Sequence, residues 1–175
     1  SGGMVDLREA DLVLAGEQAG SRCGFSIACV GDIDGGLQPD LLIGAPGYVS
    51  AGASVGRAYL VSGELLAVWM AGGRGEVGLH EASCYIQGGH GSLVFEVRYS
   101  GQSVQAAGDV DDDSIPDVVI GCLNYAHVVT GAKLRGVMAP GAEHRIDLDG
   151  TESGILSVSL ADRGGLYRLG GIAAV

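Results

Sequence analysis

A long internal repeat is the feature that most limits how this chain can fold. Residues 24–46 read GFSIACVGDIDGGLQPDLLIGAP, residues 101–123 read GQSVQAAGDVDDDSIPDVVIGCL, and the two align without a gap at an offset of 77 residues. The matched positions are Gly24 with Gly101, Ser26 with Ser103, Asp32 with Asp109, Asp34 with Asp111, Asp40 with Asp117 and Gly44 with Gly121. Because a repeated unit buries its apolar face by stacking on its neighbour, we expect two similar units packed side by side.

The repeat also suggests where the units begin and end. The similarity continues from AYLVSG (residues 58–63) to AHVVTG (residues 126–131), and weaker echoes stand at residues 12–20, 84–92 and 167–175. We therefore divide the chain into a lead-in with an outer strand (residues 1–20), a first unit (21–91) and a second unit (92–175). The second unit includes an extended connection and the start of a third repeat.

Each unit has the pattern of about four short antiparallel strands. Short Val, Ile and Leu runs alternate with glycines, of which the chain has 32, and no segment shows convincing helical periodicity. The predicted strands are residues 25–30, 40–44, 57–62 and 83–87 in the first unit, and residues 102–107, 117–121, 127–130 and 166–170 in the second. Residues 92–99 and 155–161 are further strand candidates. The predicted fold class is all-β.

Charge and hydropathy exclude two classes of partner. The chain has 10 Lys and Arg residues against 21 Asp and Glu residues, a net charge of −11, and it has no basic run. A nucleic-acid partner is excluded on this pattern, because phosphate binding requires clustered cations. No apolar run is long enough for a transmembrane segment, since the longest candidate is interrupted by Gly63 and Glu64.

The four cysteines do not indicate a zinc site. Cys23, Cys29, Cys84 and Cys122 form no CxxC pair and have no histidine at ligand spacing. Buried free thiols are the simplest interpretation, and no disulfide pairing can be chosen from the sequence.

The stretch GDVDDDSIPDVVIG, residues 108–121, places aspartates at alternate positions of one loop. Counting from Asp109, carboxylates stand at positions one, three, five and nine, which are Asp109, Asp111, Asp113 and Asp117. Position seven, Ile115, can offer its backbone carbonyl. Four carboxylates, one carbonyl and water satisfy Ca²⁺, which takes six to eight oxygens in flexible geometry, better than Mg²⁺, which requires a strict octahedron.

The alternative to a metal site is a solvated acidic turn. Two carboxylates about 4 Å apart repel by roughly 4 kcal/mol at an effective dielectric constant near 20, so a converging set requires a cation or protons. The repeat and the flanking strands favour the cation. Asp112, which has no acidic counterpart at Gly35, is expected to face solvent.

Two other acidic stretches are poorer. The first unit has Asp32, Asp34 and Asp40 at positions one, three and nine, but Gly36 at position five, with the carbonyl of Gln38 at position seven. These residues predict a weaker calcium site. The stretch DLDGTESG offers Asp147, Asp149 and Glu152 but has Ile155 at position nine, which favours a polar turn.

Residues 24–46, and less closely residues 101–121, resemble the FG-GAP repeat of integrin alpha subunits and related secreted proteins. That pattern is approximately F-G-x-S-V, then G-D-x-[DN]-x-[DN]-G-x-x-D, a hydrophobic strand and G-A-P. Here Cys23 and Ser100 replace the leading aromatic residue, and the closing G-A-P becomes Gly-Cys-Leu in the second copy. The resemblance implies one β-propeller blade per repeat, with calcium in the loop that joins the first two strands of the blade.

The resemblance and the acidic loops together predict a calcium-stabilised module that mediates protein–protein or adhesive binding outside the cytosol. The protein or glycan ligand is not specified by the sequence. Because propellers typically have four to eight blades, two units form an incomplete or partner-completed propeller. The alternative is therefore a structural subunit that self-associates or docks into a larger assembly. On this view a strand near Leu12 belongs to a blade otherwise absent, and both ends of the chain present apolar flanks.

No enzyme motif accompanies these loops. The sequence contains no H-E-x-x-H or phosphate-loop motif. Of its histidines, His127 is expected in a sheet, and His80, His90 and His144 in solvated connections. Trp69 is the one candidate for an exposed binding residue. The sequence therefore predicts a non-enzymatic protein.

Overall fold

The computed structural model describes residue 6 and residues 9–73, 75–89, 99–123, 125–148 and 154–159. These residues form thirteen strands and two α-helices. In chain order the elements are β1 (Val13–Ala15), β2 (Ser26–Cys29), β3 (Leu41–Ala45), β4 (Val49–Ser50), β5 (Ala53–Ser54), β6 (Arg57–Val61), α1 (Gly63–Ala71), β7 (Glu76–Gly78), β8 (Cys84–Gly88), β9 (Ser103–Gly108), β10 (Asp117–Gly121), β11 (Tyr125–Val129), α2 (Gly131–Met138), β12 (Arg145–Leu148) and β13 (Ile155–Ser159).

The first unit forms an open five-stranded sheet in the order β12-β8-β6-β3-β2. Strands β2, β3, β6 and β8 are an antiparallel meander, and they lie where the sequence predicts the four strands of the first unit. The fifth strand comes from later in the chain, because β12 adds in parallel to β8 with Ile146 opposite Ile86. A parallel addition of this kind leaves no local sequence signal, since the two strands are far apart in the chain.

The second unit forms an open four-stranded sheet in the order β13-β11-β10-β9. All pairings are antiparallel, so the described residues repeat the meander of the first sheet. The fourth place is taken by β13, which the sequence offered only as a further candidate. The predicted strand at residues 166–170, the echo at residues 167–175 and all of the candidate strand 92–99 except Tyr99 lie outside the described residues.

The expectation that the chain contains no helix is wrong, because each unit has a short helix between its third and fourth strands. The helices begin in the same way: Ser62 and Thr130 are the N-caps, and their side-chain oxygens accept hydrogen bonds from Leu65 N and Lys133 N. With nine and eight residues, the helices are too short for a 3.6-residue pattern to stand out.

The two sheets pack face to face over one shared core. Leu42, Leu60 and Ile86 of the first sheet belong to the same buried cluster as Val118 and Ile120 of the second. Contact between these side chains removes apolar surface from water, and each Å² buried contributes about 25 cal/mol to the stability of the fold. The shared core is what holds the two units together.

The other face of the first sheet is covered by α1 and by the lead-in residues. Tyr59 and Val61 pack with Trp69 of α1, while Leu12 and Leu14 pack against the same cluster. The strand that contains Leu14, β1, pairs in parallel with β7. The expected orphan strand is therefore wrong at this end, and so is the expected exposure of Trp69, which is only 3% exposed.

Among the described residues, no helix combines the length and the apolar character needed to cross a membrane. The structure is mostly β-sheet, as the sequence predicts.

Candidate metal centres

The two acidic loops occupy equivalent places and lie next to each other. The first acidic loop (residues 32–40) joins β2 to β3, and the second acidic loop (residues 109–117) joins β9 to β10. Gly31, at the start of the first loop, lies against Pro116, at the end of the second, because a Cβ on Gly31 would be 3.0 Å from Pro116 Cγ. Both loops are therefore at the same edge of the paired sheets.

Each loop brings together the carboxylates of positions one, three and nine. One oxygen each of Asp32, Asp34 and Asp40 lies within 4.8 Å of the others. In the second loop the same holds for Asp109, Asp111 and Asp117. The described residues thus contain two acidic clusters that could hold a metal ion, and both are clusters that the sequence predicts.

The aspartate at position nine fixes each loop to the helix of its own unit. Asp40 accepts hydrogen bonds from Ile33 N and Gly63 N, both at 2.9 Å. Asp117 accepts the corresponding bonds from Val110 N and Gly131 N, both at 2.7 Å. Both carboxylates are fully buried. Since the first helical N–H groups have no intrahelical partner, a buried carboxylate here satisfies them and benefits from the helix dipole.

The aspartate at position one closes the turn of each loop. Asp32 accepts from Gly35 N at 2.7 Å and Leu37 N at 3.0 Å. Asp109 accepts from Asp113 N at 3.1 Å and Ser114 N at 2.8 Å. Backbone donors that aim at these carboxylates orient them before any ligand arrives.

The backbone conformation of the two loops is also the same. Leu37 and Ser114, which are equivalent, have φ values of 67° and 68°. Gly35 and Asp112, which are also equivalent, have φ values of 88° and 60°. Left-handed conformations are uncommon in residues other than glycine. Their recurrence at two equivalent positions shows that the two loops are similar in backbone structure as well as in sequence. Asp112 is exposed, as expected.

The loops differ at position five. Asp113 does not belong to the second group of converging oxygens; its Oδ1 accepts from Ile115 N at 2.8 Å. Gly36 has no side chain, and its N–H donates to Asp34 Oδ1 at 2.9 Å. The carbonyl ligands predicted at position seven, from Gln38 and Ile115, stay predictions.

The surroundings of the carboxylates shift their pKa values in opposite directions. Desolvation opposes ionisation of Asp32, but hydrogen bonds from backbone N–H groups outweigh it and lower its pKa. Burial raises the pKa of Asp40, and the nearby charges of Asp34 and Asp32 act in the same direction. Desolvation, followed by repulsion from Asp113 and Asp117, raises the pKa of Asp111. Accumulated negative charge of this kind favours a bound cation.

The donor set fits a hard cation. All the converging atoms are carboxylate oxygens, and each cluster combines two accessible carboxylates with one buried carboxylate. Calcium and magnesium prefer such oxygen ligands, whereas zinc prefers cysteine and histidine. Neither cluster contains a cysteine or a histidine.

The remaining candidates carry no comparable arrangement. His127 lies in the sheet and is 2% exposed, as expected, and His80 and His144 are exposed. Cys84 and Cys122 are buried free thiols, whereas Cys29 is exposed. Asp147 lies in β12 beside Arg145, while Asp149, Glu152 and His90 fall outside the described residues.

A scan of the chain against protein-family models finds no match, and a search of curated proteins finds none either. The FG-GAP resemblance therefore rests on the residues of the two repeats.

Proposed function

We propose that this protein is a calcium-stabilised repeat module of FG-GAP type that binds other proteins or adhesive ligands without catalysis. Each sheet is interpreted as one blade of an incomplete or partner-completed β-propeller. The observation that carries the proposal is the convergence of three carboxylates in each of two equivalent loops. A single acidic turn is common, but two equivalent turns that share the position-nine hydrogen bonds and two left-handed positions support a repeated binding unit.

Calcium is the ion that best suits these loops. In each cluster the carboxylates of positions one and three lie on a turn, and only the carboxylate of position nine, at or directly before the start of the following strand, is buried. Flexible oxygen ligands accommodate the six to eight bonds of Ca²⁺, whereas Mg²⁺ requires a strict octahedron at short distances. Sites of this grade in extracellular modules bind Ca²⁺ at roughly 10⁻⁴–10⁻³ M, which favours a location outside the cytosol.

The burial of His127 supports a non-enzymatic role. Burial lowers the pKa of His127 to about 4, so its imidazole is neutral at pH 7. A ring enclosed in the core in this way cannot exchange protons with a substrate. Exposed His80 lies beside Glu81, on the short 3₁₀ turn Leu79–Glu81, and has no nucleophile within the described hydrogen bonds.

A structural subunit of a larger assembly is the second candidate, and one surface favours it. Ile27 and Cys29 are exposed on one face of β2, and Phe25, directly before the strand, is exposed at the next alternate position; Phe25 is 55% and Ile27 59% exposed. Adjacent large apolar side chains in water mark an interaction surface more often than a free one.

Thermal unfolding in calcium and in chelator tests the calcium function. An ion that binds only the folded protein at 100 times its dissociation constant adds about 2.7 kcal/mol per site to the free energy of unfolding. We expect the melting temperature to fall when EDTA replaces Ca²⁺, and Mg²⁺ to restore less of the loss than Ca²⁺. The control is Asp112→Asn, which removes an exposed charge outside the cluster and should behave as wild type.

The double variant Asp109→Asn/Asp111→Asn should lose more than half of the calcium effect, because the second loop is predicted to bind calcium more tightly than the first. Both carboxylates are exposed, but Asp109 also accepts two backbone hydrogen bonds, so the variant is compared with wild type in chelator as well as in calcium. A wild-type melting curve that is the same in calcium and in chelator would overturn the proposal.

A further inference from the structure

We propose that a second copy of this chain docks on the open side of the second sheet, in the same way that the second unit packs on the first. The contact runs head to tail. The tail face is the side of the second sheet that carries Val119, Val128 and Leu156, and the head face is the side of the first sheet that carries Ile27. The inference rests on the proposed partner-completed repeat, names the partner, and does not depend on calcium.

The tail face is the exposed counterpart of a face that is buried in the first sheet. Leu42, Leu60 and Cys84 lie opposite one another on neighbouring strands of the first sheet, and they pack in one core with the second sheet. Each of them is at most 1% exposed. The equivalent row of the second sheet is the tail face, where the two valines are only half-buried and Leu156 is 40% exposed. Among the described residues, nothing covers this row as the second unit covers the first.

The head face differs from its counterpart in the same way. Ile27 corresponds in the repeat to Val104 of β9. Val104 packs in the core shared with the first sheet and is 8% exposed, whereas Ile27 is 59% exposed. Pro116 is half-buried beside the first acidic loop, whereas its equivalent, Pro39, is exposed. One chain therefore exposes both halves of the interface that joins its own two units, and a second copy supplies the half that each lacks.

The strand edges give the geometry of the contact. A parallel pair occurs twice with the same register, because β12 of the second unit adds to β8 of the first, and β7 of the first unit adds to β1 of the lead-in. The same hydrogen bond begins both pairs: Val13 N donates to Gly75 O at 2.9 Å, and Tyr85 N donates to His144 O at 3.0 Å. β13 corresponds to β8 as the fourth strand of its meander, and its outer edge has no strand in the described part of the chain. This edge is therefore placed to receive β7 of a second copy.

Docking of this kind exchanges one strand for another. In the second copy, β7 is paired with β1, a strand of three residues that pairs with no other described strand. β13 belongs to a four-stranded sheet and brings the tail face with it, so it removes more apolar surface from water at the head face than β1 does alone. β1 is thus a cap that the incoming sheet displaces.

Sedimentation equilibrium of the full chain, in calcium and again in EDTA, tests the proposal with two complementary variants. Leu156→Lys places a charge on the tail face, and Ile27→Lys places one on the head face. We expect each variant to weaken self-association at least tenfold. An equimolar mixture of the two should form a 1:1 heterodimer with an affinity near that of wild type, because each retains the half that the other lacks. Val68→Lys, at an exposed valine of α1, is the matched control and should associate as wild type does.

A third variant tests the exchange of β1. Val13→Pro removes the N–H that bonds Gly75 O, so β1 leaves β7 more readily. We expect association to strengthen at least threefold, and the gain to disappear in Val13→Pro/Leu156→Lys. A gain that persists in this double variant would show that newly exposed apolar surface, rather than the tail face, causes the association.

The remaining outcomes separate the alternatives. A wild type that is monomeric at every concentration overturns the proposal, and a lower melting temperature of Leu156→Lys would then show that a segment of the same chain covers the tail face. If Ile27→Lys dissociates the protein and Leu156→Lys does not, association is face to face through β2 and the head-to-tail contact is excluded.

Two further checks keep the result decisive. If Leu156→Lys does not fold, Gln105→Arg takes its place, since Gln105 is exposed and lies opposite Val119 on the tail face. Association that is absent in a protein still stabilised by calcium overturns this inference alone, whereas head-to-tail association without any calcium effect overturns only the calcium function.

Discussion

Arg135 of α2 donates a hydrogen bond from Nε to the carbonyl oxygen of Ile33, at 2.6 Å, across 102 residues of sequence. Ile33 is fully buried in the first acidic loop, and its N–H is held by Asp40. The second unit is therefore hydrogen-bonded directly to the first acidic loop. Ala67, the equivalent residue of α1, carries no charge, and α1 covers the outer face of the first sheet rather than a neighbouring loop.

Removal of this contact should weaken the docking of the two units. Arg135→Met keeps the length of the side chain but leaves a buried carbonyl without its donor, and hydrogen bonds to charged groups contribute about 1.5–3 kcal/mol. We expect the free energy of unfolding in urea to fall by about 1–2 kcal/mol. Arg135→Lys, which keeps the charge without the planar guanidinium, should have a free energy of unfolding between those of Arg135→Met and wild type. Identical unfolding curves for Met and wild type would show that the contact contributes nothing.

Much of the strand pattern is predictable because the same order of apolar runs and glycines occurs in both copies of the repeat. The four strands of the first unit and β10 lie where short β-branched runs and glycines place them, and the position-nine aspartates are set by the same alignment. The helices are not predictable from periodicity, since eight or nine residues give only two turns. The sequence signal for the start of each helix is Ser62-Gly63 in the first unit and Thr130-Gly131 in the second. Each pair is an N-cap residue followed by the glycine whose N–H binds the buried aspartate.

Other features depend on distant contacts that no local pattern encodes. The pairing of β12 with β8 brings residues of the second unit into the first sheet. Contacts of this kind join elements that are distant in the sequence, so they become visible only in the folded structure.

The buried aspartates should stabilise the fold even without an ion. In Asp117→Asn, the amide nitrogen must face one of the two N–H donors now satisfied by carboxylate oxygens, Val110 N or Gly131 N. A buried donor without an acceptor costs about 1–3 kcal/mol. We therefore expect the melting temperature of Asp117→Asn to fall by several degrees in EDTA, with Asp40→Asn similar. Asp112→Asn, which removes the same charge from an exposed position, is the control; equal melting temperatures for Asp117→Asn and the control would contradict the anchoring role.

Acid should destabilise the protein through His127. Burial lowers the pKa of its imidazole from 6.5 to about 4, so between these values the unfolded chain binds a proton that the folded chain does not. The stability is fully present above about pH 6.5 and is lost as the pH falls towards 4, by at most about 3 kcal/mol from the linkage relation. His127→Tyr, which introduces the residue of the first unit at Tyr59, should flatten stability between pH 6.5 and pH 4.5. His144→Gln, at an exposed histidine, should keep the wild-type slope, and a slope unchanged in His127→Tyr would rule out this assignment.

The exposed apolar face of β2 should drive association with another chain. Ile27 lies on β2, the strand at the edge of the first sheet, and Phe25 lies directly before that strand; both side chains are more than half exposed. Lysine on such strands is a common protection against edge contacts, and this strand carries none. We expect wild type to show a concentration-dependent increase in mass by sedimentation equilibrium, and Phe25→Lys/Ile27→Lys to shift it towards the monomer. Val68→Lys, at a valine that is 65% exposed on α1, controls for the added charge. Because the double variant adds only two positive charges to a chain of net charge −11, it reduces overall repulsion, so a loss of association can be attributed to the apolar contact. A monomeric wild type at every concentration would exclude self-association through this face.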